Sequence, residues 1–371
     1  MRVALVCPYS LSRPGGVQGQ VLGLARALEV LGHSTLVLAP ADGPVDAPGL
    51  ASEVVVLGRS LALPANGSVV PVSLGPLAAA RAVRVIGDNA VDLVHLHEPL
   101  APGAGYACLL RCSQPLVGTF HRAGSSTAYR LLGPLARWAA GRLDVRCAVS
   151  PAAMTTAVDA LGGTYEIVGN GVEVDRFARG PAWPTVGPTV LFVGRHERRK
   201  GLGVLLDAFA RLGRGPAATL WVVGQGPETD ELRARSAGDG RVQWLGPVDD
   251  DELAARLRGA HVLCAPSLGG ESFGMVLLEA MAARTAVVAS DIPGYAFVAG
   301  AHARLVVPGA PGALAVALEA AVADAQAGTG ASSPDALDRA FAHASTWSMT
   351  RLAERYAGIY QGLLSSGQPG R

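Results

Sequence analysis

The segment that decides the fold runs from His261 to Glu279 and reads HVLCAPSLGGESFGMVLLE. The apolar run His261–Ser267 is typical of a buried strand, and a second apolar run that begins near Phe273 predicts a helix. Because glycines separate the two runs, we expect a strand, a loop that holds Glu271, and a helix. Glu279 would lie about two turns into that helix, since each residue adds roughly 1.5 Å. Strand, loop and helix in this order are the repeating unit of parallel α/β sheets.

The same segment suits a ligand that carries phosphate between two sets of hydroxyls. A helix N-terminus offers unpaired N–H groups and a partial positive charge, which favour phosphate. The carboxylates of Glu271 and Glu279 can accept hydrogen bonds from hydroxyls on either side of it. A nucleotide sugar has this order of hexose hydroxyls, diphosphate and ribose hydroxyls. The alternative is a surface helix with two solvated glutamates.

Outward from this segment, short apolar strands alternate with helical stretches in both halves of the chain. In the first half we predict the strands Arg2–Cys7, Ser34–Ala39, Glu53–Leu57, Asp92–His97, Leu116–His121, Arg146–Ser150 and Tyr165–Val168. In the second half we predict Thr189–Gly194, Thr219–Val223, Val242–Leu245, His261–Ala265, Ala286–Ser290 and Arg304–Val307. Near-continuous apolar strands joined by helices indicate parallel sheets covered on both faces.

The pattern therefore predicts an α/β protein with two Rossmann-like domains and a ligand-binding cleft between them. We expect an N-terminal domain over 1–175 and a C-terminal nucleotide-sugar-binding domain over 188–349. The junction is the Pro/Gly-rich stretch Gly180–Pro188. A final helix, about 350–364, should pack back on the first domain through Leu352, Tyr356 and Tyr360.

Length and composition exclude several classes of protein. A chain of 371 residues is long enough for two domains. It has no apolar run of about 18 residues, and Arg2–Cys7 is too short to be an export signal. The five cysteines lack metal-site spacing and indicate reduced thiols, while a net charge of +1 disfavours a general nucleic-acid binder. We expect a cytoplasmic protein and leave open a peripheral contact with the inner face of the membrane.

Two loops are candidate phosphate-binding sites because each follows a predicted strand. Pro14-Gly15-Gly16 precedes a helix, and glycines without Cβ atoms let backbone N–H groups approach a diphosphate. A plain turn explains this motif equally well. The motif is not GxGxxG, which disfavours a nicotinamide dehydrogenase.

The second loop reads RHERRKG from Arg195 to Gly201. Arg195 and Lys200 could neutralise the diphosphate and the charge that develops on the leaving nucleotide. The alternative is an exposed basic loop, and we expect Arg198 and Arg199 to face solvent.

Three further groups have both a catalytic or metal-binding interpretation and a structural one. His121 ends a predicted strand and could contact a sugar, although a lone histidine is more often structural. His95, His97 and Glu98 resemble metal ligands by composition, but alternating strand residues explain them better. Asp249–Asp251 contains a DxD pattern, which we interpret as helix capping rather than metal binding.

Together, these motifs resemble the retaining family-4 glycosyltransferases of GT-B fold over nearly the whole chain. They are most similar to those of the actinobacterial phosphatidylinositol mannosyltransferases. The motifs that carry this resemblance are residues 6–10 (VCPYS), 14–18 (PGGVQ), 66–68 (NGS), 95–99 (HLHEP), 119–121 (TFH), 169–172 (GNGV) and 268–274 (LGGESFG).

The resemblance implies transfer of mannose from GDP-mannose to phosphatidylinositol or a related inositol lipid, in α linkage, with no cofactor and no metal. By resemblance, Gly16, Arg195 and Lys200 bind the diphosphate, and His121 lies beside the reacting sugar. The hexose is bound by Glu271 with Ser272, Phe273 and Gly274, and the ribose by Glu279. The resemblance also makes the N-terminal domain the acceptor-binding domain, in which Tyr9, Asn66 and Ser68 bind the acceptor. Catalytic roles fall to His121, Arg195, Lys200 and Glu271.

The sequence departs from this family in the lipid-binding stretch. The inositol-lipid enzymes carry an arginine there for the lipid phosphate, followed by a helix rich in basic residues. Here Pro71 occupies the apparent arginine position, and Pro76–Asn89 contains only Arg81 and Arg84. Each basic residue near an anionic membrane contributes roughly 1 kcal/mol, so we expect weaker membrane docking. Three other arginines could compensate: Arg122, Arg130 and Arg137.

Three alternatives stay open at this point. The first is the same chemistry on a soluble acceptor such as a glycan, an inositol phosphate or a small metabolite. The second is a nucleotide-sugar epimerase, for which the second half offers no clear acid/base pair. The third is a non-catalytic protein that binds nucleotide sugars. It is disfavoured by the presence of four residues: Arg195, Lys200, Glu271 and Glu279.

Overall fold

The chain divides into two structural units. The computed structural model describes residues 1–13, 15–65, 68–73, 75–124, 133–213 and 218–366, and for 62–65 and 68–71 it describes the backbone alone. The first unit comprises Met1–Gly171 and Met349–Arg371, and the second comprises Val172–Ser348.

Seven parallel strands form the main sheet of the first unit, in the order β3-β2-β1-β6-β7-β8-β9. They are β1 (Arg2–Val6), β2 (Ser34–Ala39), β3 (Val54–Val56), β6 (Leu93–His97), β7 (Leu116–Phe120), β8 (Val145–Ala148) and β9 (Glu166–Ile167). Each lies within a predicted apolar run, with differences of one or two residues at the ends. The connections of the unit hold α1 (Gly16–Val30), α2 (Pro76–Asp88), α3 (Ala104–Arg111), α4 (Gly133–Ala140), α5 (Pro151–Leu161) and, at its C-terminal end, α14 (Met349–Ser365).

The central strand β1 carries apolar side chains on both of its faces. Val3 and Leu5 enter one hydrophobic cluster, and Ala4 and Val6 enter the other. Because successive strand residues point to opposite faces, continuous apolar runs fit only a sheet that is covered on both sides. Each buried Val or Leu contributes roughly 1.5–3 kcal/mol, so this pattern stabilises the sheet between its helical layers.

The last helix, α14, belongs to the first unit. Its residues Leu352, Tyr356 and Tyr360 lie in the same hydrophobic cluster as Leu24 and Leu28 of α1. These side chains recur at helical spacing on both helices, so the two apolar stripes face each other.

The sequence reasoning missed a two-stranded antiparallel hairpin in the first unit. Its strands are β4 (Leu61–Ala65) and β5 (Ser68–Val72), with Ala65 paired to Ser68. An Asn-Gly dipeptide between two β-prone runs is a strong hairpin signal and could have predicted it. The dipeptide itself, Asn66-Gly67, lies outside the described residues.

Six parallel strands form the sheet of the second unit, in the order β12-β11-β10-β13-β14-β15. They are β10 (Thr189–Val193), β11 (Thr219–Val223), β12 (Val242–Gly246), β13 (Val262–Ala265), β14 (Ala286–Ser290) and β15 (Arg304–Val306). The helices are α6 (Val174–Ala178), α7 (Leu202–Phe209), α8 (Thr229–Ser236), α9 (Asp250–Gly259), α10 (Met275–Ala282), α11 (Pro293–Ala299), α12 (Pro311–Ala327) and α13 (Pro334–Thr346). The prediction of two Rossmann-like α/β sheets is confirmed.

One helix boundary was predicted wrongly. Helix α10 begins at Met275 rather than near Phe273, because Gly274 adopts a left-handed conformation with φ 111° and ends the preceding turn. Glu279 therefore lies about one turn into the helix, at roughly 1.5 Å per residue, and not two.

Across the described ranges, no helix combines the length and apolar character that a bilayer crossing requires.

Candidate functional site

The candidate donor site of the second unit lies where the strand order reverses. From β10 the chain continues to β11 and β12 on one side, and then crosses to β13 on the other side of β10. Loops that leave the carboxyl ends of the two strands at such a point diverge and open a crevice, which is where α/β sheets bind ligands. Arg195–Lys200 follows β10, and Leu268–Gly274 follows β13.

Two backbone features bring these loops together. The N–H of Leu268 donates to the carbonyl of Arg199 at 2.7 Å. Gly201 adopts φ 70°, and a Cβ atom on it would overlap the carbonyl oxygen of Pro266. Since only glycine tolerates both this conformation and this close approach, Gly201 is what lets Lys200 lie against the strand end.

Ion pairs join the two loops through Glu271. Its Oε1 lies 2.7 Å from Lys200 Nζ and 2.7 Å from Arg199 Nη1. Arg199 also contacts Glu197 Oε2 through Nε at 3.1 Å, and Arg195 Nε lies 2.8 Å from Glu197 Oε1. The expectation that Arg199 faces solvent was wrong, because the backbone bond to Leu268 places it between two carboxylates. Arg198 is exposed, as expected.

The turn after Glu271 places backbone rather than side chains at the helix N-terminus. Phe273 is buried, and its ring meets Trp347 edge-on at 5.3 Å, so its side chain serves the core. A Cβ on Gly274 would lie 2.7 Å from the Tyr295 ring. Ser272 is half-buried. The turn can therefore offer a ligand the Ser272 hydroxyl and main-chain groups.

Glu279 is a half-buried carboxylate with a raised pKa. Burial raises it from the ordinary value of 4.5 to about 7, and the negative charge of Asp250 adds to this. Arg176 and Lys200 act in the opposite direction, since a nearby positive charge favours the ionised form. Removal from water outweighs both cations here, so protonated and ionised forms coexist near neutral pH.

In the first unit, the glycine loop follows β1, where the strand order also reverses. Gly16 is the first residue of α1, and a Cβ on it would meet no atom of the described residues within 4 Å. Tyr9 lies in the same connection, is half-buried, and pairs through its backbone with Val72 of the hairpin. Pro14 and Asn66 lie outside the described residues, and of Ser68 only the backbone is described.

His121 is buried at the end of β7 and is held on two sides. Its Nε2 lies 2.9 Å from His97 Nδ1, and its backbone N–H donates to Glu98 Oε1 at 2.7 Å. Burial lowers the pKa of His121 to about 4 and raises that of Glu98 to about 7. His121 is therefore neutral at pH 7, and one of its ring nitrogens is engaged by His97.

A second set of hydrogen bonds ties the strand ends to α14. His95 Nδ1 lies 2.7 Å from the Tyr360 hydroxyl, and His95 Nε2 lies 2.7 Å from Thr119 Oγ1. Thr119 Oγ1 in turn lies 2.8 Å from the Tyr356 hydroxyl. These bonds satisfy both ring nitrogens of His95, as a buried histidine requires.

Asp249, in the other candidate metal-binding motif, also has a structural partner. Asp249 is the N-cap of α9, and its side chain accepts from the N–H of Glu252 at 2.8 Å. In the part of the chain that the structure describes, no three His, Cys, Asp or Glu side chains are grouped as metal ligands would be.

Sequence reasoning overlooked Glu197, Arg199, Gly201 and Gly294 as parts of the site. A Cβ on Gly294 would overlap the carbonyl oxygen of Glu271, so this glycine lets α11 approach the loop. A single acidic residue inside the basic run RHERRK was a usable signal for Glu197, because a carboxylate among arginines orders them. The two glycines gave no comparable signal.

Two family models and several curated relatives match this chain. A model of the Glycosyltransferase Family 4 domain matches residues 14–176, and a model described as glycosyl transferases group 1 matches residues 187–324. The phosphatidyl-myo-inositol mannosyltransferase of Mycolicibacterium smegmatis is 43% identical over 303 residues, which cover 80% of this chain and 77% of the relative. That of Mycobacterium leprae is 42% identical over 330 residues, covering 86% and 87%.

Among solved structures, a glycosyltransferase from Rickettsia africae superposes with a TM-score of 0.78 at 18% identity, over 99% of both chains. At that identity the likeness concerns the fold alone, and it confirms the expected GT-B fold. The resemblance read from the sequence motifs is confirmed by the family models and the relatives. The chain belongs to glycosyltransferase family 4 and, within it, to the family of the phosphatidyl-myo-inositol mannosyltransferases.

Proposed function

We propose that this chain transfers mannose from GDP-mannose to phosphatidylinositol or a related inositol lipid, in α linkage and with retention of configuration. The observation that carries the proposal is the meeting of Lys200 and Glu271 at 2.7 Å, between the carboxyl ends of β10 and β13. It unites a phosphate-binding cation with a hydroxyl-binding carboxylate. The names of relatives about 40% identical support the sugar and the acceptor.

In this proposal, each charged group of the second unit has one role. Arg195 and Lys200 bind the diphosphate together with Gly16 and take up the charge that develops on it as the sugar leaves. Glu271 and the turn Ser272–Gly274 bind the hexose. Glu279 accepts hydrogen bonds from the ribose hydroxyls, which its ionised form does best.

The bond changes need no protein nucleophile. The bond between the anomeric carbon and the diphosphate oxygen breaks, and a bond to the acceptor oxygen forms on the same face. The acceptor hydroxyl proton passes to the departing diphosphate. Neutral His121 lies beside the sugar as a hydrogen-bonding group, so the protein acts through positioning and electrostatics. In this mechanism no metal and no cofactor is required.

On the acceptor side, we propose Tyr9, Asn66 and Ser68 as binding residues. A second candidate function is the same transfer to a soluble acceptor. It is favoured by α2, whose basic residues are Arg81 and Arg84, the latter 4.0 Å from Asp88. Two basic residues, one of them beside a carboxylate, give weak attraction to an anionic surface.

The test is product formation followed by mass spectrometry, with GDP-mannose as donor and phosphatidylinositol vesicles as acceptor, in the presence of EDTA. The expected product is a singly mannosylated lipid. Parallel reactions use UDP-glucose as donor, or soluble inositol phosphate as acceptor. Binding of GDP-mannose without lipid product, together with a mannosylated soluble acceptor, would establish the second candidate. Activity only after Mg²⁺ is restored would refute metal independence.

A further inference from the structure

A buried carboxylate connects the two halves of the proposed donor site. Glu197 is 4% exposed, and each of its oxygens contacts a different arginine. Oε1 lies 2.8 Å from Arg195, and Oε2 lies 3.1 Å from Arg199. Arg199 then reaches Glu271, whose Oε1 also contacts Lys200. The order along this chain of contacts is Arg195, Glu197, Arg199, Glu271, Lys200.

We propose that Glu197 is a positioning residue, which orients Arg195 for the diphosphate and, through Arg199, orients Glu271 for the sugar. The inference rests on the proposed function, because it assigns Arg195 to the diphosphate and Glu271 to the sugar of a nucleotide-sugar donor. Glu197 itself contacts neither part.

The first role of Glu197 is to order the side chain of Arg195. Its side chain is 50% exposed, so without a partner it would sample many rotamers. An arginine side chain carries roughly 2 kcal/mol of rotamer entropy, which a ligand must overcome on binding. The contact with Glu197 is made by Nε, which leaves the two terminal nitrogens for a phosphate. Glu197 therefore lowers the entropy cost of diphosphate binding before the ligand arrives.

The second role of Glu197 is to position Glu271 through Arg199. Arg199 uses Nε for Glu197 and Nη1 for Glu271, so its planar fork fixes the relative positions of two carboxylates. Both cations near Glu271 contact Oε1, which leaves Oε2 as the oxygen for a sugar hydroxyl. When a diphosphate draws Lys200 away, Arg199 still holds Glu271 in place.

The experiment separates these two roles of Glu197. The Kd of GDP and the Kd of GDP-mannose are measured by calorimetry for each variant. The Kd of GDP divided by the Kd of GDP-mannose is the ratio that reports how much the sugar contributes to binding. Glu197→Gln should weaken GDP binding by about tenfold, the upper effect of losing one preordered side chain, and should also lower the ratio. Arg199→Lys should leave GDP binding within about twofold but lower the ratio by about fivefold or more, because an ammonium cannot bridge two carboxylates as a fork does.

A matched control is Asp239→Asn, which removes the 2.7 Å ion pair with Arg241 elsewhere in the same unit. It should change neither Kd, even if it lowers the Tm as much as the site variants do. Wild-type affinities in Glu197→Gln would overturn the proposal while the proposed function stands. Equal loss of GDP and GDP-mannose affinity in Arg199→Lys would overturn the second role, the positioning of Glu271 through Arg199.

One further outcome distinguishes an error in the proposed donor from an error in the role of Glu197. If the wild-type chain does not bind GDP-mannose, the proposed donor is wrong, and the same ratio is measured with UDP and UDP-glucose. A wild-type chain that binds neither nucleotide sugar overturns both the proposed function and the role of Glu197.

Discussion

Replacing Glu279 with glutamine should stabilise the second unit while weakening donor binding. Burial raises the pKa of this carboxyl from 4.5 to about 7. Between these two pH values the unfolded chain has already lost the proton that the folded chain keeps, so stability falls as pH rises from 4.5 through 7. A difference of this size corresponds to about 3 kcal/mol, at roughly 1.4 kcal/mol for each pH unit. Water near the half-buried side chain makes this an upper value.

The assay is urea unfolding followed by tryptophan fluorescence at pH 5 and pH 8. Most of the signal comes from the second unit, which holds Trp183, Trp221, Trp244 and Trp347, whereas Trp138 lies in the first unit. Glu279→Gln should raise the free energy of unfolding by up to about 3 kcal/mol at pH 8 and by much less at pH 5. GDP-mannose affinity at pH 8 should fall in the same variant.

The control is Glu98→Gln, since the pKa of Glu98 is also about 7 but this residue lies in the first unit. Its amide oxygen can still accept from the backbone N–H of His121. This variant should leave the pH dependence of the second unit unchanged. Equal stabilisation by Glu279→Gln at both pH values, or none at pH 8, would refute the reasoning that an ionised Glu279 destabilises the folded unit.

Five further substitutions, two of them controls, test the site and its scaffold. Lys200→Ala should abolish transfer while thermal unfolding stays cooperative, and full activity would remove this residue from the site. Gly201→Ala should lower stability by more than about 2 kcal/mol because of its φ of 70° and its overlap with a neighbouring carbonyl. By contrast, Gly358→Ala at an exposed position in the middle of α14 should stabilise the chain by up to about 1 kcal/mol, and equal melting temperatures for Gly201→Ala and Gly358→Ala would contradict this. Asp249→Ala should cost about 1 kcal/mol through loss of its cap, whereas Asp251→Ala should cost little, and activity in EDTA should be unchanged in both.

The sheets could be predicted from the sequence because their strands are buried on both faces. Such strands are continuous apolar runs, so β1 and β10 are visible without knowledge of their partners. The hairpin β4–β5 lacks this signature, since its pattern depends on a turn rather than on burial. Loop positions set by a left-handed glycine, such as the start of α10, also escape a method based on periodicity.

Candidate site residues could be proposed one by one from the sequence, but their contacts could not be predicted. Lys200 and Glu271 were identified from local motifs, whereas the bridging position of Arg199 depends on a backbone bond to Leu268, far away in sequence. The same applies to His95, whose partner Tyr360 is 265 positions distant. Long-range contacts of this kind follow from the fold, and a local pattern carries no record of them.

The place of α14 has a consequence for synthesis on the ribosome. This helix is translated only after the whole of Val172–Ser348, yet it fills the hydrophobic cluster of the first unit. Domains generally fold as units in the order in which they emerge. Here the second unit is contiguous in sequence and can fold first. Until α14 is translated, Met1–Gly171 leaves His95, Thr119 and the apolar face of α1 uncovered. Nascent chains of this protein should therefore need protection from aggregation until α14 emerges.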